Sequence, residues 1–228
     1  MTPATRRSRL GRLRLPTLCL ITDRQRCGDV PLDTVVEGAL KGGVNVVQLR
    51  EKDLPAGELF ALATRLRQVT RGHALFLVND RVDVAMACGT DGVHLPEDGL
   101  PVGMARWLLG KHTLIGRSVH STEAAAQAER DGADFVQVGT IFATDSKPDA
   151  KPAGLELIEE VAKVVSIPVL AVGGIKADNV AGVIAAGASG VSVISAICGA
   201  RDSEKAADKL IKAMAEAWSA GAAEATPA

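Results

Sequence analysis

Val46-Val47-Gln48-Leu49-Arg50-Glu51-Lys52 is an apolar run that ends abruptly in charge. Side chains alternate across a strand with period two, so Gln48, Arg50 and Lys52 share one face if strand geometry persists that far. A buried strand ending in an amide and two cations on one face reads as an anion site at the mouth of a barrel. That reading requires the rest of the chain to supply the barrel, a metal for the anion and the chemistry.

The same kind of run recurs eight times. Residues 17–22, 44–49, 74–78, 92–95, 113–117, 135–139, 168–172 and 190–194 are short, rich in Val, Ile and Leu, and nearly continuous in hydrophobicity, as strands buried on both faces are. Helical patterns lie between them. In 155–165, Leu155, Ile158, Val161, Ala162 and Val165 recur at helical spacing, with Glu156, Glu159, Glu160 and Lys163 on the other side. Ser121 is placed to cap one helix and Asp202 or Ser203 the last. Helices are expected to end near Gly42-Gly43, Gly110, Gly132 and Gly187. Repeated βα units imply a parallel sheet. Eight of them, running evenly to the end and with no GxGxxG turn after the first strand, predict an α/β fold. The expected architecture is a single-domain (β/α)8 TIM barrel over residues 17–219, in preference to an open doubly wound sheet.

The composition suits one globular domain: 228 residues, 47% hydrophobic and 23% charged. A net charge of −1 argues against a general nucleic-acid binder, and no apolar run reaches membrane-spanning length. Neither nucleic acid nor membrane is therefore expected as a partner. The charge is uneven, however. Arg6, Arg7, Arg9, Arg12 and Arg14 fall within residues 1–16 with no acid, which leaves −6 for the remainder. Arms of this kind serve nucleic-acid, membrane or targeting contacts in some chains; the composition here predicts a solvated, disordered arm. Residues 220–228, rich in small side chains, are expected to fray. Cys19, Cys27, Cys88 and Cys198 are scattered without CxxC spacing, which fits reduced thiols in a cytoplasmic protein better than a zinc site or disulfide framework.

Catalysis in such a barrel sits beyond the C-terminal ends of the strands. Nearly every predicted exit there carries a group fit for anion or metal binding. Gln48, Arg50 and Lys52 follow strand 2; Asn79, Asp80 and Arg81 follow strand 3; Glu97 and Asp98 follow strand 4. Ser118 and His120 follow strand 5, and Thr144, Asp145, Ser146 and Lys147 follow strand 6. Gly173-Gly174 ends strand 7, while Ser192, Ile194 and Ser195 end strand 8. The last two exits form a phosphate site, because glycines let backbone amides approach an anion at the strand 7–8 mouth. Arg50, Lys52 and Lys147, with Asn79 and Asp80, suggest a second anion. Three cations beside a carboxylate suit a diphosphate with Mg²⁺, which bridges phosphate oxygens and takes one or two carboxylates. Asp80 is the first ligand candidate and Glu97 or Asp98 the second; a plain helix cap is the competing role for Asp80. The polar loop 144–152, flanked by proline, has the character of a lid. His120 is a candidate general acid or base. His73, His94 and His112 carry no assignment.

As an ordered set, these residues resemble the thiamine phosphate synthase family. The resemblance rests on Leu20-Ile21-Thr22-Asp23-Arg24, Gln48-Leu49-Arg50-Glu51-Lys52, Val78-Asn79-Asp80-Arg81, Gly92-Val93-His94-Leu95, Gly116-Arg117-Ser118-Val119-His120, Gly139 to Thr144, Ser146-Lys147, Gly173-Gly174-Ile175 and Ile194-Ser195-Ala196-Ile197. It implies an Mg²⁺-dependent transferase of thiamine biosynthesis that joins hydroxymethylpyrimidine diphosphate to thiazole phosphate and releases diphosphate. It assigns Gln48, Arg50, Lys52, Asn79, Ser118 and Lys147 to the pyrimidine diphosphate, and Asp80 to the metal. Thr144, Ser146, Gly174, Ile194 and Ser195 go to the thiazole phosphate. The expected partners are these small-molecule substrates, and a homo-oligomer is compatible with the family.

One segment departs from the family pattern. After strand 4 the family has Gly-Gln-x-Asp, whose aspartate is the second metal ligand. Here the run is Pro96-Glu97-Asp98-Gly99, with Gly99 at the aspartate position and Asp98 one residue away. Leu95-Pro96 and the 116–121 block resemble instead the sister family of thiazole tautomerases, in which His120 would transfer protons. That reaction needs one phosphate site, leaving Lys52 and Asp80 without a purpose, so the synthase reading is preferred. A non-catalytic protein that only binds thiazole phosphate is a third reading.

Overall fold

The computed structural model describes residues 13–146, 149 and 151–224. Lys147, residues 1–12 of the basic arm and residues 225–228 lie outside them. Eight parallel strands close into a barrel in sequence order: β1 (Thr17–Ile21), β2 (Val46–Leu49), β3 (Leu75–Asn79), β4 (Gly92–Leu95), β5 (Leu114–Val119), β6 (Phe135–Val138), β7 (Val169–Val172) and β8 (Gly190–Val193), with β1 pairing β8. The helices between them are α1 (Leu32–Lys41), α2 (Ala56–Thr70), α3 (Val82–Cys88), α4 (Val102–Leu109), α5 (Thr122–Arg130), α6 (Glu156–Val164) and α7 (Val180–Ala185). A short α8 (Ser195–Cys198) follows β8, and α9 (Ser203–Glu224) packs on α1 and α7 to close the ring. Ser121 Oγ caps α5 by accepting from Ala124 N–H at 3.1 Å, and Asp202 Oδ1 accepts from Lys205 N–H at 3.0 Å at the start of α9.

The apolar alternation along each strand separates two cores. Outward residues such as Leu18, Leu20, Val47, Leu49, Val93 and Val136 pack under the helices. Inward residues Cys19, Ile21, Val46, Leu77, Leu114, Phe135 and Leu170 fill the barrel itself. Leu13, which precedes the first strand and falls within the predicted arm, is buried in that inner cluster. At the other end α9 runs to Glu224, beyond the residue where the tail was expected to begin.

A four-fold device ties the N-terminal face together. The residue before each even-numbered strand is polar: Asn45, Asp91, Asp134 and Ser189. Each accepts, through its side chain, a backbone N–H of the preceding odd strand. Asn45 Oδ1 takes Leu18 N–H at 3.0 Å, Asp91 Oδ2 takes Phe76 N–H at 2.9 Å, Asp134 Oδ2 takes Ile115 N–H at 2.8 Å, and Ser189 Oγ takes Val169 N–H at 3.3 Å. In return the backbone N–H of each donates to the carbonyl of the same partner residue, over 2.7 to 3.1 Å. Strand starts thus find partners that the neighbouring strand cannot offer. The two aspartates are neutralised by arginines from α2 and α4, the helices that precede the odd strands they cap: Arg67 Nη1 to Asp91 at 2.6 Å, and Arg106 Nη2 to Asp134 at 2.6 Å.

This face is remote from the strand exits, so its residues serve stability. Asp134→Ala removes the acceptor for Ile115 N–H and the carboxylate that neutralises Arg106, which keeps only the carbonyls of Gly110, Thr113 and Gly132. The substitution should destabilise the fold by about 3 kcal/mol. Urea unfolding measures it, and a loss of stability within error of zero would contradict the assignment.

Candidate active site

At the opposite face a cavity of about 290 Å³ opens among the strand ends. Its floor comes from the even strands. The third residue of each, Gln48, His94, Gln137 and Ser192, is buried and lines the cavity. The odd strands add Ile21, Asn79, Ser118 and Val172. Gln137 Nε2 donates to Gln48 Oε1 and to Ser192 Oγ, both at 2.9 Å, and Gln48 Nε2 donates to Asn79 Oδ1 at 3.1 Å. A buried amide without partners costs about 1–3 kcal/mol, so each link fixes the orientation of the next. The chain runs one way and ends at Asn79, whose own amide donors it does not use.

His94 holds the other side of the floor. Its Nε2 lies 2.8 Å from Ser118 Oγ, and its ring stacks on Phe135 with centroids 5.9 Å apart. Burial, followed by the nearby charges of Arg117 and Arg50, pushes its pKa down to about 3, so the imidazole is neutral near pH 7. Cys19 lies deeper, beside Ser192, and burial pushes its thiol up to about 12; it offers no thiolate nucleophile.

The first wall is cationic. Strand geometry ends at Leu49 and does not extend to Lys52, because residues 51–54 turn, with Leu54 N–H donating to Glu51 O at 3.3 Å. The turn sorts the charges by sign. Glu51 and Asp53 pair with Arg24, whose Nη1 lies 3.0 Å from Glu51 Oε2 and 2.7 Å from Asp53 Oδ1. Arg50 and Lys52 line the cavity and, among the described residues, make no ion pair. Arg50 is held by its backbone N–H, which donates to Thr22 Oγ1 at 2.9 Å.

Asp80 stands just beyond, at the end of β3. Its φ of +64° is a left-handed conformation rare outside glycine, and its N–H is pinned to His94 O at 2.8 Å. The carboxylate is exposed, and no side chain caps α3, whose N-cap is Arg81. Helix capping therefore does not account for Asp80. Its Oδ1 faces the β4–α4 loop, 3.0 Å from where a Cβ on Gly99 would stand. A side chain at position 99 would also collide with the Pro96 ring, at 2.8 Å, so Pro96 restricts this position to glycine. In the same loop Glu97 Oε2 meets His120 Nδ1 at 2.6 Å, and Arg117 donates to Glu97 O and Leu100 O at 2.7 and 3.0 Å. Asp98 is exposed. Neither Asp80 nor Asp98 is among the cavity-lining residues, and among the described residues no three His, Cys, Asp or Glu side chains gather as a metal cluster.

The opposite wall is backbone. Gly173 and Gly174 have φ of +106° and +64°, and a Cβ on either would collide with the β6–α6 segment, at 2.6 Å from Thr140 Cγ2 and 2.5 Å from Ala143 O. Asn179 closes this loop, donating to Gly174 O at 3.0 Å and accepting from Lys176 N–H at 2.8 Å. Ile194, Ser195 and Lys176 extend the wall. Thr144 and Ser146 reach in from the predicted lid, where Arg26 Nη2, from across the mouth, donates to Asp145 O at 3.2 Å.

One cavity therefore gathers Gln48, Arg50, Lys52, Asn79, Ser118, His120, Thr144, Ser146, Gly174, Ile194 and Ser195. Sequence reasoning gave no site role to His94, Gln137 and Lys176, while Ser192 was among the polar residues expected at the end of strand 8. His94 and Gln137 had a signal: each, like Ser192, is the polar third residue of an otherwise apolar even strand.

The family model described as thiamine monophosphate synthase matches residues 18–197. A thiamine-phosphate synthase of Moorella thermoacetica is 51% identical over 80% of this chain and 88% of its own length. One of Roseiflexus castenholzii is 47% identical over 86% and 87%. A solved structure of a thiamine phosphate pyrophosphorylase from Pyrococcus furiosus superposes with a TM-score of 0.82 at 40% identity, covering 92% of this chain and 98% of its own.

The depressed pKa of His94 has a measurable consequence. Between its ordinary value of 6.5 and about 3, the unfolded chain binds a proton that the folded chain does not. Stability should therefore fall as pH falls through that window, with this residue contributing up to about 1.4 kcal/mol per pH unit. In urea melts at about pH 6.5 and about pH 4.5, His94→Gln should lose roughly 2 kcal/mol less than the unaltered protein. Equal losses would refute the buried neutral imidazole.

Proposed function

We propose that this chain, which belongs to the thiamine monophosphate synthase family, joins hydroxymethylpyrimidine diphosphate to thiazole phosphate and releases diphosphate. The observation that carries the reading is a single cavity with two unlike anion walls: the cations Arg50 and Lys52, without an ion pair among the described residues, on one side, and the glycine backbone of 173–174 with Ser195 on the other. A single-phosphate reaction leaves the first wall without a purpose.

In this mechanism the C–O bond to diphosphate breaks first and its electron pair leaves with the diphosphate. Arg50 and Lys52, with Lys147 from the lid, stabilise the charge that develops there, and the Asn79 amide donates to the same group. The pyrimidine ring delocalises the resulting carbocation. The thiazole, held through its phosphate by Gly174, Ser195 and the Thr144 and Ser146 hydroxyls, then attacks with its ring nitrogen and forms the C–N bond. No side-chain nucleophile or proton transfer is required, so the protein's work is positioning and electrostatics. Closure of the lid, tethered by Arg26, keeps water from the cation.

The reaction calls for Mg²⁺, and Asp80 fits it: an exposed carboxylate, held in an unusual backbone conformation and not used as a helix cap. Asp98 is the candidate for a second carboxylate from the facing loop, since Glu97 is engaged by His120 and Gly99 has no side chain. Mg²⁺ would neutralise the diphosphate while keeping most of its water shell. The same reading places the enzyme in the cytoplasm, where its four free cysteines stay reduced.

Purified protein with both substrates and Mg²⁺ should form thiamine phosphate and diphosphate. Asp80→Ala and Arg50→Ala should each lower the rate about 10²–10³-fold. No product above background from the unaltered protein would end the proposal.

The Glu97–His120 contact gives the tautomerase reading its own observation, because a carboxylate at Nδ1 orients an imidazole for proton transfer. Under the synthase reading His120→Ala changes the rate of thiamine phosphate formation less than tenfold, and the protein shows no metal-free tautomer conversion of thiazole carboxylate phosphate. Robust conversion that disappears in His120→Ala would favour the isomerase.

A further inference from the structure

We infer that His94 is a positioning residue that holds Ser118 as a hydrogen-bond donor toward the cavity, through an Nε2–H to Ser118 Oγ bond. The inference rests on the synthase reading of the cavity and adds a direction to one of its contacts. His94 is 1% exposed, and its buried Nδ1 has no hydrogen-bond partner among the described residues. Its Nε2 lies 2.8 Å from Ser118 Oγ.

A neutral imidazole carries one proton, so two arrangements are open. If Nδ1 held it, Ser118 would donate to Nε2, and an N–H would sit buried with nothing to accept it. If Nε2 holds it, Nε2 donates to Ser118 Oγ and the bare atom is an Nδ1 lone pair. An unmet lone pair in a protein interior is tolerated more readily than an orphaned N–H.

Ser118 Oγ then receives a proton from His94 and must direct its own elsewhere. Ser118 lines the cavity, on the strand next to His94. Its hydroxyl therefore presents a donor to the ligand, matched to an acceptor such as a diphosphate oxygen or a heteroaromatic ring nitrogen. It discriminates against a ligand with a donor at that point. Phe135, stacked on the ring and packed against Gly116, holds the imidazole plane.

Two measurements test this. In the protein labelled with ¹⁵N-histidine, long-range ¹H–¹⁵N spectra at neutral pH should show His94 protonated at Nε2 and bare at Nδ1. The opposite tautomer overturns the inference. In calorimetric titration with Mg²⁺ and inorganic pyrophosphate, and in KM for the pyrimidine diphosphate, His94→Leu and Ser118→Ala should each weaken binding about tenfold, and the double variant no further. His94→Gln, which keeps a donor near Nε2, should restore most of the loss, and KM for thiazole phosphate should not move. Additive losses, or no rescue by glutamine in a folded variant, refute the role. The spectrum needs neither variants nor turnover. An inactive unaltered protein thus counts against the synthase reading, whereas the wrong tautomer in an active one counts against this inference alone.

Discussion

A ring of four polar residues set into the apolar barrel governs this structure. Gln48, His94, Gln137 and Ser192 occupy equivalent places on the even strands, where an ordinary barrel layer would be Val, Ile or Leu. Buried polar atoms favour partners, and all four side chains find one, across the barrel or on the next layer at Asn79 and Ser118, with His94 Nδ1 the atom left unmet among the described residues. The cost of leaving any one unmet makes the network rigid. It gives the cavity a floor whose donors point in fixed directions before any ligand arrives.

The same four strands are preceded by polar caps, so each carries one polar side chain just before its start and another at its third residue. The caps at Asn45, Asp91, Asp134 and Ser189 hold the register at the closed face, and the polar quartet shapes the open one. Charges sort themselves accordingly. Arg67 and Arg106 are consumed by the caps, and Arg24 takes the acids of the β2 exit, while Arg50 and Lys52 are left for a ligand.

Much of this could be read from the chain. Eight apolar runs gave the barrel, with strand ends displaced by one or two residues, because propensity does not say where pairing stops. The exit residues converge because a barrel brings every strand's C-terminal end to one mouth. The strand end at Leu49 was legible, but the turn at 51–54 was not: alternation left open whether Lys52 shares a strand face with Gln48, and the tertiary pairing of Glu51 and Asp53 with Arg24 decides that it does not. Nor was the engagement of Glu97 by His120, which depends on two loops that are distant in sequence. His94 carried no assignment because a lone histidine in an apolar run looks like core; only its place beside Ser118 shows otherwise.

The central claim is that one cavity holds two different anions at once. Calorimetric titration of pyrophosphate with Mg²⁺, in the absence and presence of saturating thiazole phosphate, addresses it directly. The account predicts one pyrophosphate bound per chain in both cases, with affinity undiminished by the thiazole phosphate. Mutual displacement of the two ligands would mean a single anion site, and would contradict it.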